Sequence, residues 1–277
     1  MSAPSTFTDV VAQWETSRPD AVALSFGTSN WTWAELAARL RRNAAAQRAA
    51  GLKPGDRIAV LDLNHPSCLE LTLACAQVGT ANAVVNFRLA PPEIVYVIND
   101  ARARLLFVGP EFAGAVDKLR DQLPSVERVI RVGGADDEYE AWLAGNEGDG
   151  QPYAAAPDDC FVQLYTSGTT GFPKGAMLTH RGMLAHARNS SHGLGMGPDA
   201  HAQVAMPLFH VGGTSYALAA INVGARMVLM RVPDPAAVLQ VLEAEKITHT
   251  FLVPALLAAI NQVAGAAERD YSHLKAL

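Results

Sequence analysis

The chain has 277 residues, 22 Lys plus Arg against 27 Asp plus Glu, and 49% apolar residues, enough to bury a substantial core in one large domain or two. With 18% charged residues and a net charge of −5, it has neither the low hydrophobicity of a disordered chain nor the basic face of an electrostatic nucleic-acid binder. Three cysteines, Cys68, Cys75 and Cys160, make neither a disulfide framework nor a C-x-x-C metal knuckle, which points to a reducing, cytoplasmic setting.

The amino terminus, MSAPSTFTDVVAQWE, has no basic region followed by an apolar run, so no signal peptide is expected. Thr32 and Glu35 form a T-x-x-E capping box, Leu36, Leu40 and the following alanines continue at helical spacing, and Gly51 supplies a stop. Residues 57–62 read as a buried strand, Pro66 as a first-turn proline opening the next helix, and 83–87 as another strand. The alternation continues with a helix at 91–99, a strand at 104–108, a helix at 112–122 and a strand at 126–132. Repeated βα units predict an α/β fold of layered parallel or mixed sheets flanked by helices. A Gly-, Pro- and acid-rich stretch between Gly145 and Asp159 reads as a surface connection, dividing a first subdomain, 1–150, from a second, 151–277. Strands are then expected at 161–166, 203–206, 227–230 and 248–252, with helices at 181–192, 235–245 and 254–264. The most apolar stretches, 217–232 and 250–264, fall short of the roughly 18–20 uninterrupted apolar residues that span a bilayer.

The chemistry concentrates in Leu164-Tyr-Thr-Ser-Gly-Thr-Thr-Gly-Phe-Pro-Lys-Gly175, directly after an apolar strand. Gly168 and Gly171 let backbone N–H groups approach an anion, the hydroxyls of Thr166, Ser167, Thr169 and Thr170 add donors, and Lys174 adds a mobile positive charge. This composition suits a phosphate-cradling loop. It is not a Walker A loop, because Pro173 precedes Lys174 where glycine is required and Gly175 occupies the place of the magnesium-binding hydroxyl.

The stretch YTSGTTGFPKGAMLTH resembles the signature of the adenylate-forming superfamily, and VNFRL, PPEI and MPLFHVGG extend the likeness toward fatty acyl-CoA and related acyl-CoA synthetases. The resemblance implies an AMP-forming acid–thiol ligase that uses ATP, Mg2+ and coenzyme A. A carboxylic acid, fatty by the likeness, attacks the α-phosphorus of MgATP to give an acyl-adenylate, and the CoA thiolate then displaces AMP. It also implies that the loop from Thr166 to Lys174 holds the β- and γ-phosphates, that the Thr166 hydroxyl helps hold magnesium, and that Lys174 and His210 take part in catalysis. His210, Val211, Gly212 and Gly213 would border the acyl pocket. Two bland alternatives stand beside this: His210 as a packed histidine at a strand-to-helix turn, and the two glycines as aids to helix packing. His180, at the end of the signature, is expected to make a structural contact. His180, His186 and His192 recur every six residues and so do not share one helix face, which argues against a zinc site.

The likeness covers the first half of the family pattern. The Gly-Gly-Ala-Pro strand, the Tyr-Gly-x-Thr-Glu motif, the ribose-binding aspartate and the small C-terminal domain with its lysine do not occur in the 277 residues. The expectation is therefore an N-terminal portion of such a synthetase, inactive in isolation, with an unpaired sheet edge that invites self-association. The alternatives are an adenylating enzyme that loads a carrier-protein thiol, and a non-catalytic nucleotide- or acyl-binding module or half of a split enzyme.

Overall fold

Ile58 and Val60 face one side of their strand, Ala59 and Leu61 the other, and all four are buried. A strand apolar on both faces needs cover on both, which is the condition for a parallel sheet between helical layers. The computed structural model describes residues 3–146, 153–166 and 171–277. Helix α1 (Phe7–Ser17) leads into a hairpin of β1 (Val22–Phe26) and β2 (Ser29–Thr32), and α2 (Trp33–Ala49) follows at once. The alternation continues through β3 (Arg57–Leu61), α3 (Pro66–Cys75), β4 (Ala81–Val84), α4 (Pro91–Asp100), β5 (Ala103–Val108), α5 (Pro110–Leu119), β6 (Arg128–Arg131) and α6 (Tyr139–Ala144). After it come β7 (Cys160–Thr166), β8 (Lys174–Thr179), α7 (His180–Gly193), β9 (His201–Val204), α8 (Val211–Val223), β10 (Arg226–Leu229), α9 (Pro235–Ala244), β11 (His249–Thr250) and α10 (Pro254–Ile260).

Two mixed sheets result. One has the order β6-β5-β3-β4-β7-β8 and is parallel except for its β7–β8 pair; the other has the order β11-β9-β10-β1-β2 and is parallel except for β1–β2. The expected subdomain division near residue 150 does not follow these sheets. The parallel β4–β7 pairing draws β7 and β8 into the sheet of the first half, and the β1–β10 pairing draws the N-terminal hairpin into the sheet of the second.

Strand alternation sorts the core into three clusters. Ile58, Val60, Leu105 and Phe107 from one sheet and Leu24, Val204, Met227 and Leu229 from the other share a central cluster with residues of α2, α3, α7 and α8. The opposite strand faces pack outward, Ala59, Leu61, Leu106 and Val108 against α4 and α5, and Val228 and Met230 with α9 and α10. The order is thus helices, sheet, helices, sheet, helices. The middle helices need apolar surface all round: every residue of α3 is buried, and so is α8 from Gly213 to Ile221.

Boundaries differ from expectation where side chains are needed elsewhere. The strand expected at 83–87 ends at Val84, because the Asn86 side chain accepts from Arg88 N at 2.9 Å and turns the chain so that Phe87 meets Phe112 and Phe209. The strand expected at 248–252 shrinks to two residues, His249 and Thr250, before Pro254 opens α10. The capping box at Thr32 and Glu35 forms as expected, with backbone to side-chain bonds of 3.2 and 2.8 Å. Among the described residues no helix is long and apolar enough to cross a membrane.

One buried ion pair ties α2, α3 and α6 together. Arg39 meets Glu70 through two nitrogens, and the Tyr139 hydroxyl donates to Glu70 Oε2 at 2.8 Å while accepting from Asn43 Nδ2 at 2.8 Å. Removing Glu70 leaves the Tyr139 hydroxyl without its acceptor in the buried layer, while Arg39 keeps Glu140 at 2.6 Å as a counter-charge. Glu70→Ala is expected to lower unfolding free energy by about 1–3 kcal/mol in urea titrations, and Glu70→Gln by less.

Candidate functional site

In a parallel sheet all strand C-termini lie at one edge, and the loops that leave them form the natural crevice. The candidate site is built from these loops in both sheets. β7 runs parallel to β4, so its C-terminal end, Thr166, opens at the same edge as the loops that follow β3 and β4. Thr166 lies opposite Lys174 across the antiparallel β7–β8 ladder, which makes these two candidate residues the root of the signature loop. Ser167, Gly168, Thr169 and Thr170 lie outside the described residues. Gly171 adopts φ of +118°, a conformation reserved in practice for glycine. Phe172 is 70% exposed yet stacks on Tyr96 of α4, with ring centroids 4.7 Å apart, which fixes the returning arm of the loop. Lys174 is exposed and makes no ion pair among the described residues, so its ammonium is available to an anion.

The second half of the site follows β9. Residues Met206 to Phe209 turn into α8, whose N-cap is His210. The His210 Nδ1 accepts from Gly212 N at 3.1 Å, so in the neutral ring the proton sits on Nε2, which has no partner among the described residues. His210, Val211 and Gly212 form one wall of an apolar cleft of about 700 Å³, and Phe251, Val253 and Leu256 form the facing wall. The N-terminal turn of α8, with its partial positive charge, is therefore part of the cleft lining, although its Gly212 N–H is already taken by His210. Gly213 faces away from the cleft. A Cβ there would stand 2.2 Å from the Pro207 carbonyl oxygen and 2.6 Å from that of Met206, so this glycine serves the close packing of α8 on the loop. Of the two alternatives open at Gly213, packing is the one its surroundings match.

Side chains from the six-stranded sheet stitch the two halves together. Asn64, just beyond β3, donates to Met206 O at 3.1 Å and accepts from Leu208 N at 2.9 Å. Phe87 meets Phe209 edge to face at 4.9 Å, and the Arg88 guanidinium lies over both rings at the cleft. Arg231, following β10, pairs with Asp62 at 2.9 Å and with Glu111. Burial pushes the Asp62 carboxyl up to about 6 despite the guanidinium beside it, and its Oδ2 is buried with no hydrogen-bond partner among the described residues. His65, between these groups, caps α3 by accepting from Ser67 N, and burial with the nearby Arg231 cation pushes it down to about 4.

His180 behaves as expected of a structural residue. It is buried, accepts from Phe7 N at 3.3 Å, stacks on Phe161 at 4.4 Å, and burial pushes it down to about 4. His186 and His192 are exposed on the same helix and do not join it. Asn64, Asp62, Arg231 and Phe251 escaped the sequence reading. Their partners are far along the chain, as with Asn64 and Met206 at a separation of 142 residues, so no local spacing marks them.

The Asp62 environment gives a pH test. A carboxyl whose folded value stands above its unfolded value near 3.8 binds its proton more tightly in the native state, so it stabilises below that pH and loses this contribution as pH rises toward 6. Asp62→Asn is expected to flatten the decline in unfolding free energy between about pH 4 and 6 by at most about 3 kcal/mol, read from urea titrations across that window.

The model of the AMP-binding enzyme family matches residues 11–277. Feruloyl-CoA synthase of an Amycolatopsis species is 37% identical over 260 residues, which are 94% of this chain and 51% of the relative. The fatty acid–[acyl-carrier-protein] ligase ScoC of Streptomyces coeruleorubidus is 34% identical over 249 residues, 88% of this chain and 47% of the relative. The chain thus spans about half the length of these curated relatives. The inhibitor-bound N-terminal domain of FACL13 from Mycobacterium tuberculosis superposes with a TM-score of 0.90 at 25% identity, over 97% of this chain and 68% of that one. Signature loop, layered fold and a family match over nearly the whole sequence agree, and the chain belongs to the AMP-binding enzymes, with the fold of the N-terminal domain of the acyl-CoA ligases.

Proposed function

We propose that this chain is the N-terminal part of an ATP-dependent ligase that activates a carboxylic acid as its acyl-adenylate and passes the acyl group to coenzyme A. The observation that carries the reading is the placement of two loops: Thr166 ends β7, with Lys174 opposite it at the start of the antiparallel β8, and the His210 wall of a 700 Å³ apolar cleft follows β9, so each lies at the C-terminal edge of the parallel strands of its own sheet. An acid enters the cleft by its apolar portion and leaves its carboxylate at the mouth. There His210 Nε2–H offers a donor to an anion, and the first turn of α8 adds its partial positive charge. A carboxylate oxygen attacks the α-phosphorus and pyrophosphate departs; the CoA thiolate then attacks the acyl carbon and AMP departs.

In this reading the backbone and hydroxyls from Thr166 to Thr170, with Gly171 and Lys174, hold the phosphates and offset charge that builds on the leaving pyrophosphate. Among the described residues no group of three or more His, Cys, Asp or Glu side chains converges on a metal position. The Thr166 hydroxyl would serve as one ligand of a magnesium ion, which would supply charge neutralisation at the phosphates. Val211 and Gly212 border the acyl chain. A second reading concerns the acceptor alone: the 34% identity to ScoC supports an acyl-carrier-protein thiol in place of CoA.

Two outcomes test this. The 277-residue chain should bind magnesium tripolyphosphate, and Lys174→Ala should weaken that binding about tenfold, the loss of one charge-assisted contact of roughly 1.5 kcal/mol. An unchanged affinity in the Lys174→Ala chain, measured by calorimetry, would remove the loop from the reading. Mixed with MgATP, CoA and octanoate or ferulate, the same 277-residue chain should form no thioester by mass spectrometry, since it spans only about half of its relatives' length.

A further inference from the structure

We propose that Asn64 is a positioning residue for His210: by clasping the backbone of the loop after β9, it sets the tautomer and direction of the imidazole at the cleft. The inference rests on the reading of that cleft as the acid site, but its primary readout does not.

Asn64 is 3% exposed, and both ends of its amide are used on one short segment. Nδ2 donates to Met206 O at 3.1 Å and Oδ1 accepts from Leu208 N at 2.9 Å. Two bonds, to Met206 O and Leu208 N, hold this turn at two points two residues apart and so fix its translation and its rotation together. Only an amide of this length meets both needs. Aspartate offers two acceptors and would place a second buried carboxylate near Asp62; alanine leaves a carbonyl and an N–H buried without partners.

Asn64 is itself held on both sides. Asp62 is paired with Arg231, and His65 is committed to the N-cap of α3 while its ring meets Phe26 edge to face at 5.3 Å. From the clasp the order passes along the chain. His210 N donates to Pro207 O at 3.1 Å, the Thr214 hydroxyl donates to Leu208 O, and Gly213 packs against the Met206 and Pro207 carbonyls. His210 then accepts from Gly212 N at 3.1 Å through Nδ1. A shift of residues 206–208 moves the N-cap away from Gly212 N and frees the ring to exchange tautomers, which takes the donor off the cleft for part of the time.

The test uses 15N-labelled chain and long-range proton–nitrogen spectra of the imidazoles at about pH 8, where histidine is neutral. His210 signals are identified by their loss in His210→Gln. The wild-type chain is expected to show a bare Nδ1 and a protonated Nε2 at His210. In Asn64→Ala and Asn64→Asp, each with native circular dichroism, the two nitrogen shifts should move toward a common average while those of buried His180 stay fixed. Unmoved His210 shifts in a folded variant would overturn the proposal. So would the failure of both variants to fold, since Asn64 would then be a clamp of the whole architecture. Titration with octanoate and ferulate separates the two readings. If neither acid perturbs wild-type His210, the reading of the cleft fails while the tautomer result stands. If one does, Asn64→Ala should raise its dissociation constant about tenfold.

Discussion

Parallel strands deliver their C-terminal loops to one edge, and a fold with two such sheets must bring two edges together before either can serve a site. Here the meeting is made by side chains that cross from one sheet to the other. Asn64 reaches the backbone after β9, Asp62 takes Arg231 after β10, and Phe87 packs on Phe209. The layered core underneath makes these crossings possible, because one cluster fills the space between the sheets and fixes their distance. α3 and α8, buried on all sides, are the helices that enter this layer. Both begin at the seam, at His65 and His210, with a histidine ring accepting a backbone N–H as N-cap.

The polar seam is costly by the usual measure of buried charge. Asp62 keeps one oxygen without a partner among the described residues and is pushed up to about 6, and His65 is pushed down to about 4. Groups in such surroundings would be exchanged for apolar ones if cohesion were the sole demand. Their directional contacts fix loop geometry at the edge, which apolar contacts, being non-directional, do not provide.

Much of this was legible in the sequence because the information is local. Capping boxes, first-turn prolines and apolar runs mark the strands and helices from α2 to α5 and from β9 to α10, and the signature loop identifies itself by composition. The pairing of strands was not legible. Residue 150 reads as a boundary because the connection is polar, yet β7 returns to β4 and β10 to β1 across it. The site divided in the same way. His210, Val211 and Gly212 could be found from a motif, whereas Asn64 sits in a stretch that reads only as a strand end before a helix, and its role appears once residues 206–208 are beside it.

The cleft has walls of unlike character. On one side His210, Val211 and Gly212 belong to a helix start pressed onto carbonyl groups through Gly213, so a change of side-chain volume there propagates into the buried layer. On the other side Phe251 and Val253 are 41% and 42% exposed, carried on the short link between a two-residue strand and α10. One wall holds the polar groups and is locked by backbone contact; the other reaches it through Phe251, whose ring stacks on Tyr216 of α8 and lies against Gly212. Under the proposed reading of this cleft, a change of size at Phe251 is transmitted to the start of α8 through Tyr216 and Gly212, so the two walls set the width of the cleft together.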